Sequence, residues 1–197
     1  MGALAIAALV AIPSAPARAA DVQAATQPLA VEAFVWTTSP VALRTGLVLG
    51  GGAALHYTVG PSGLFIGARL AAAQTAESTV EWDLTHVHLL ASAAGGIEKR
   101  FGAGLLRAQL EIGVLAIDQL GRRQQYDRLA ADGIKDLNRD GWSVGPTAAL
   151  EVGGAVIFFE PWRVFVQLGP GVTAQKVNGS VVARLFLTCS LGVGRAF

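Results

Sequence analysis

The sequence predicts an all-β protein: an eight-stranded antiparallel up-and-down barrel whose apolar face is turned outward to lipid. Three observations carry this reading. From Val41 onward the apolar residues recur at every second position, the period by which a strand separates its two faces. Only 15% of the 197 residues are charged while 52% are hydrophobic, whereas a soluble domain carries about 25% charged residues. Yet beyond the first residues no unbroken apolar run reaches the ~20 that a membrane helix needs. Finally, turn signals divide the chain into eight alternating segments, an even number.

The first residues read separately. Gly2 to Ile12 is an apolar run, followed by Pro13-Ser14-Ala15-Pro16 and Ala17-Arg18-Ala19, the small-x-small pattern of a secretory cleavage site. Residues 1–19 are expected to be a signal peptide, 20–27 a short N-terminal segment and 28–197 the barrel. A run of about a dozen apolar residues is too short to anchor in a bilayer.

The eight segments follow in order. Pro28 to Trp36 carries Glu32 and Phe34 on its inner parity. Val41 to Val59 sets Leu47, Leu49, Leu55, Tyr57 and Val59 against Arg44, Gly50, Gly52 and His56. Leu64 to Gln74 contributes Arg69, and Trp82 to Glu98 contributes His86, His88 and Glu98. Leu105 to Gln119 opposes Leu106, Leu110, Ile112 and Val114 to Arg107, Gln109 and Glu111. In Trp142 to Phe158, Val144, Leu150 and Val152 oppose Glu151, and Pro146 is expected to bulge or interrupt the ladder. Trp162 to Gln175 contributes Arg163, Phe165 and Gln167, and Val181 to Phe197 contributes Arg184 and Phe186. Gly60 to Gly63, Lys99 to Gly104 and Phe159 to Pro161 are short connections, whereas Thr75 to Glu81 and Leu120 to Gly141 are longer and polar. Aromatic residues fall mostly at segment ends, as interfacial girdles require. Trp36, Trp82 and Trp142 mark the long-loop end; Tyr57, Phe101, Phe158, Phe159, Trp162 and Phe197 mark the short-turn end.

In the last segment Leu185, Leu187, Cys189, Leu191, Val193, Arg195 and Phe197 share one face, ending on an aromatic ring. This resembles the C-terminal signature of Gram-negative outer-membrane barrels, and with eight segments the chain is similar to the small OmpA/OmpX type. Arg195 departs from that signature, standing where an aromatic or aliphatic residue is usual, although a long side chain near an interface can snorkel. The resemblance implies outer-membrane localisation with periplasmic termini, and surroundings of lipid and lipopolysaccharide. It also implies an insertion machinery that reads Leu191, Val193 and Phe197, a monomeric state, and a structural or adhesive role without enzymatic activity. No peptidoglycan-binding segment follows the barrel, so an anchoring role is not expected.

The inward parity collects Glu32, Arg44, Arg69, His86, His88, Glu98, Arg107, Gln109, Glu111, Glu151, Arg163, Gln167 and Arg184. An eight-stranded barrel is just wide enough for side chains to fill, so these charges are expected to pair and plug the lumen. The alternatives are a narrow small-solute pore, an interfacial lipid-modifying enzyme and a secreted lipocalin-like barrel with reversed faces. The last would need a polar face rich in Lys, Asp and Glu; here that face is largely Gly, Ala, Ser and Thr with isolated charges. An enzyme would draw on His86, His88 and Ser92, but strand neighbours do not make a triad, no His-x-Ser motif of the lipid A deacylase kind is present, and no third ligand completes a zinc site.

A formal charge of +1 without a Lys/Arg cluster sets nucleic-acid binding aside, and the single Cys189 excludes an internal disulfide. No cofactor is expected. Asp136, Asn138 and Asp140, followed by Gly141, match the first half of a calcium loop, but Thr147 stands at the twelfth position where Glu is required. The same residues are ordinary turn formers. Arg122 and Arg123 in that loop are candidates for bridging lipopolysaccharide phosphates. Because removing one member of a buried ion pair costs about 3–5 kcal/mol, Glu111→Ala is expected to lower the unfolding midpoint in detergent.

Overall fold

The computed structural model describes residues 28–40, 48–78, 83–121, 142–177 and 179–197, and every regular element among them is a strand. These are β1 (Leu29–Pro40), β2 (Val48–Val59), β3 (Leu64–Ser78), β4 (Asp83–Phe101), β5 (Gly104–Gly121), β6 (Ser143–Phe159), β7 (Trp162–Val177) and β8 (Ser180–Ala196). Each pairs antiparallel with the next, and β8 returns to β1 to close the barrel. The seam runs from Ala30 opposite Ala196 to Pro40 opposite Phe186.

Alternation is what separates inside from outside. Along β2, Val48, Ala54 and His56 are buried while Leu49, Leu55, Tyr57 and Val59 are exposed. Along β5, Leu105, Arg107, Gln109 and Glu111 are buried while Leu106, Leu110 and Ile112 are exposed. The outer surface is therefore aliphatic and the polar residues fill the centre. The strands run from 12 to 19 residues, longer than the 9–11 or so that cross a hydrocarbon layer at a tilt.

Several strands continue past the ends their sequence patterns suggest. β4 and β5 run to Phe101 and from Gly104, which leaves a two-residue connection that opens on Gly102 at φ 60°. Left-handed backbone at the first turn position matches the right-handed twist of the flanking strands. β1 continues four residues beyond Trp36, to Pro40. Trp36 is thus mid-strand, on the same parity as Glu32 and Phe34, and it is buried in the lumen rather than standing in an interfacial girdle. The ladder between β5 and β6 passes without a shift through Val114 opposite Pro146. The irregularity lies further on, between Ile157 and Phe159 in the β6–β7 pairing. Trp82 lies outside the described residues.

Inward glycines make room for rings. Phe34, Phe65 and Phe165 are buried. A Cβ on Gly192 of β8 would stand 2.2 Å from the Ala33 carbonyl oxygen, 2.7 Å from Phe34 Cβ and 2.8 Å from Phe165 Cζ, whereas one on the outer-parity Gly95 of β4 would meet nothing nearer than 3.9 Å. Overpacking of this kind costs about 1–3 kcal/mol. Gly192→Ala is expected to lower unfolding stability by about that much and Gly95→Ala to leave it near the parent value, as read from urea titration of tryptophan fluorescence in detergent.

Candidate functional site

The lumen is built in three levels. Nearest the short turns, four strands bring their charges together: Glu32 from β1, Glu98 from β4, Arg107 from β5 and Arg163 from β7. Arg107 forks onto Glu32, with Nη1 donating to Oε2 at 3.0 Å and Nη2 to Oε1 at 2.9 Å, and donates to Glu98 Oε2 through Nε at 3.0 Å and Nη2 at 2.6 Å. Arg163 donates to Glu32 Oε1 at 2.8 Å and to both oxygens of Glu98 at 3.0 and 3.1 Å. Two guanidinium groups and two carboxylates thus alternate, and their fixed fork geometry suits bidentate pairing. His56 adds its Nδ1 at 3.4 Å from Glu32, and Arg107 Cζ lies 5.1 Å from the centre of the Phe65 ring.

The middle level centres on Arg69 of β3. Its Nη1 donates to Glu111 Oε1 at 2.7 Å and to the two oxygens of Glu151 at 3.2 and 3.1 Å, while its Nη2 donates to Ser190 Oγ. Gln109 Nε2 bridges the same carboxylates at 2.8 and 3.0 Å, and Ser92 Oγ donates to Glu111 Oε2 at 3.3 Å. Gln167 in turn donates to Gln109 at 3.1 Å. The guanidinium carbon of Arg69 sits 4.2 Å from the Phe34 ring centre, an attraction that grows as water is excluded.

Toward the long-loop end the lumen turns apolar. Trp36, Val48, Leu90, Leu115 and Ile117 belong to one buried cluster, and the Trp36 indole N–H donates to Thr188 Oγ1 at 3.0 Å. Beyond them Gln175 donates to the Leu115 carbonyl and to Thr173 Oγ1, and accepts from Ser143 Oγ, each at 2.9 Å. Between this level and the middle one lies a cavity of about 20 Å³ lined by Trp36, Leu115, Glu111, Glu151, Phe186 and Thr188, about the room that one water takes.

The structure places Glu32, Arg69, Glu98, Arg107, Glu111, Glu151 and Arg163 in these two polar levels, and Arg184 lies half-buried on the inward parity of β8. Leu191, Val193 and Phe197 are exposed on the outer face. Arg44, Arg122, Arg123, Asp136, Asn138 and Asp140 lie outside the described residues, as does the side chain of His86. His88 is buried, but four residues of strand, about 13 Å, separate it from Ser92, whose hydroxyl is committed to Glu111. The two are not brought together. Among the described residues no three His, Cys, Asp or Glu side chains gather as a metal site. Sequence reasoning left His56 and Phe65 out of the inward set, although each has the parity of an inward neighbour, His56 that of Gly52 and Phe65 that of Arg69.

Arg69 is the only cation in contact with both Glu111 and Glu151 among the described residues, so the costs of breaking the cluster differ. Glu111→Ala leaves Arg69 paired with Glu151; Arg69→Ala leaves two buried carboxylates together. Loss of about 3–5 kcal/mol is expected for Arg69→Ala and a smaller loss for Glu111→Ala, in urea titrations of the refolded protein. Equal losses would refute this account of the middle level.

No protein-family model matches the sequence, and no curated protein matches it either. Among solved structures, Neisserial surface protein A superposes with a TM-score of 0.58 at 13% identity, over 86% of this chain and 96% of that one. Ail, the attachment invasion locus protein of Yersinia pestis, does so with a TM-score of 0.50 at 11% identity, over 86% and 97%. The likeness at these identities is one of architecture, and the chain has the fold of the small eight-stranded Gram-negative outer-membrane barrels.

Proposed function

We propose that the chain is an integral outer-membrane barrel with a structural or surface-interaction role and a lumen closed by its own side chains. The observation that carries this reading is the inversion of its faces. Ile66, Leu70, Ile112 and Leu185 are each at least 60% exposed while Glu32 and Glu151 are about 1% exposed. A sleeve of aliphatic side chains this continuous is unfavourable in water, and closure of the sheet satisfies the backbone groups that hydrocarbon leaves without partners. In this reading residues 1–19 direct export and both termini face the periplasm. Leu191 and Val193 on β8 and Phe197 just beyond it meet the insertion machinery, and the monomeric barrel is surrounded by phospholipid and lipopolysaccharide.

The two charged levels and the apolar level above them, with a cavity of only about 20 Å³ between, support a plugged lumen over a diffusion pore. A surface-interaction role rests on the longest connection, residues 122–142, and draws support from the attachment function that the name of Ail states for that protein. The full chain, expressed in a Gram-negative host, is expected to stay with urea-washed outer membranes, to shift in gel mobility on boiling, and to give no discrete conductance in planar bilayers. Recovery in the soluble wash would reverse the faces and with them the function; steady conductance steps would make it a pore.

A further inference from the structure

Two cations face outward at the short-turn end, and among the described residues no acid meets them. Lys99 follows Ile97 on the outer parity of β4, and Arg195 follows Val193 on the outer parity of β8; all four are exposed. Lys99 Nζ lies 5.5 Å from the centre of the Phe101 ring. Arg195 Cζ lies 5.6 Å from that of Trp162 and 4.9 Å from that of Phe197. Ring faces hold a cation in place but accept none of its N–H donors in the way a carboxylate does, and among the described residues neither cation has an ion pair. Arg100, the immediate neighbour of Lys99, differs: it donates to Glu160 at 2.7 Å and to the Gly102 carbonyl at 3.1 Å.

Each free cation stands one outward position, about 7 Å, beyond the last aliphatic side chain of its strand. In the membrane-barrel reading, a cation and ring at the end of an aliphatic row stand where hydrocarbon gives way to headgroups. β4 and β8 are four strands apart in a circle of eight, so the two sites lie on opposite flanks. We propose that Lys99 and Arg195 each bind the phosphodiester of an anionic glycerophospholipid in the leaflet at the short-turn end, with the aromatic rings holding the cation at headgroup depth. This rests on the membrane-barrel reading. It commits to phospholipid rather than lipopolysaccharide because short turns of such barrels face the periplasm. Two anchors on opposite flanks fix the height of the barrel and resist tilting about the axis between the remaining strands.

The test is native mass spectrometry of the full chain released from micelles containing phosphatidylglycerol. The parent protein is expected to retain up to two lipids, and Lys99→Gln with Arg195→Gln to lower retention about fivefold per cation removed. Arg100→Gln, at the same end but already paired, is expected to match the parent. Equal retention by the double variant, or an equal loss in Arg100→Gln, overturns the inference. Gel mobility of the same samples with and without boiling separates the two levels of the argument. A parent that shows no shift overturns the membrane-barrel reading and this inference with it; heat-modifiable barrels with unchanged lipid retention overturn this inference alone.

Discussion

Closure of one sheet on itself is the constraint from which the rest of this structure follows. Once β8 pairs with β1, no strand edge remains, and every alternate side chain must point into a space too narrow for anything but side chains. The outward half of the sequence is then free to be aliphatic and the inward half has to solve a packing and pairing problem together. Small residues are part of that solution. Gly192 exists as a gap against Phe34 and Phe165, so that rings and guanidinium groups fit where eight sets of side chains converge.

Energetically the lumen is a set of charges that have given up water and must find each other. Taking an ion out of water costs several kcal/mol, and pairing repays it only when geometry is good and leftover donors are satisfied. The level near the short turns meets that demand by balance: two arginines against two glutamates, each guanidinium touching both carboxylates. The middle level has one arginine for two glutamates, and there the neutral donors Gln109 and Ser92 share the load. An alternative register would strand some of these charges without partners in a low-dielectric interior.

Much of this was legible in the sequence because a strand has an exact period of two. Parity alone puts Glu32, Arg69, Arg107, Glu111, Glu151 and Arg163 on one face, and eight turn-bounded segments give the strand number. Which arginine meets which glutamate was not legible. That depends on strand tilt and stagger, through which Glu32 of the first strand comes level with Arg107 of the fifth and Arg163 of the seventh. Strand ends were blurred for a related reason. Trp36 looks like an interfacial residue while the strand is taken to stop there, but Thr37 to Pro40 continue to pair with β8, and a tryptophan four residues from the end becomes part of the core. Arg195 breaks the apolar pattern of the last strand for a reason visible only in space, where it lies against Trp162 from the neighbouring strand as well as Phe197.

The sequence distances spanned by the lumen bonds have a kinetic meaning. Neighbouring hairpins are local and can pair as they emerge, but Arg107 to Glu32 spans 75 residues, Arg69 to Ser190 spans 121, Arg163 to Glu32 spans 131 and Trp36 to Thr188 spans 152. Loop-closure entropy for such contacts is lost before they return any stabilisation, which slows folding in proportion to their share. An unclosed ribbon of hairpins therefore carries Arg107 and Arg163 with only Glu98 between them until the first strand arrives. Joining β8 to β1 is thus also the step that brings the second carboxylate to the two arginines nearest the short turns, which couples closure of the ring to charge balance at that level.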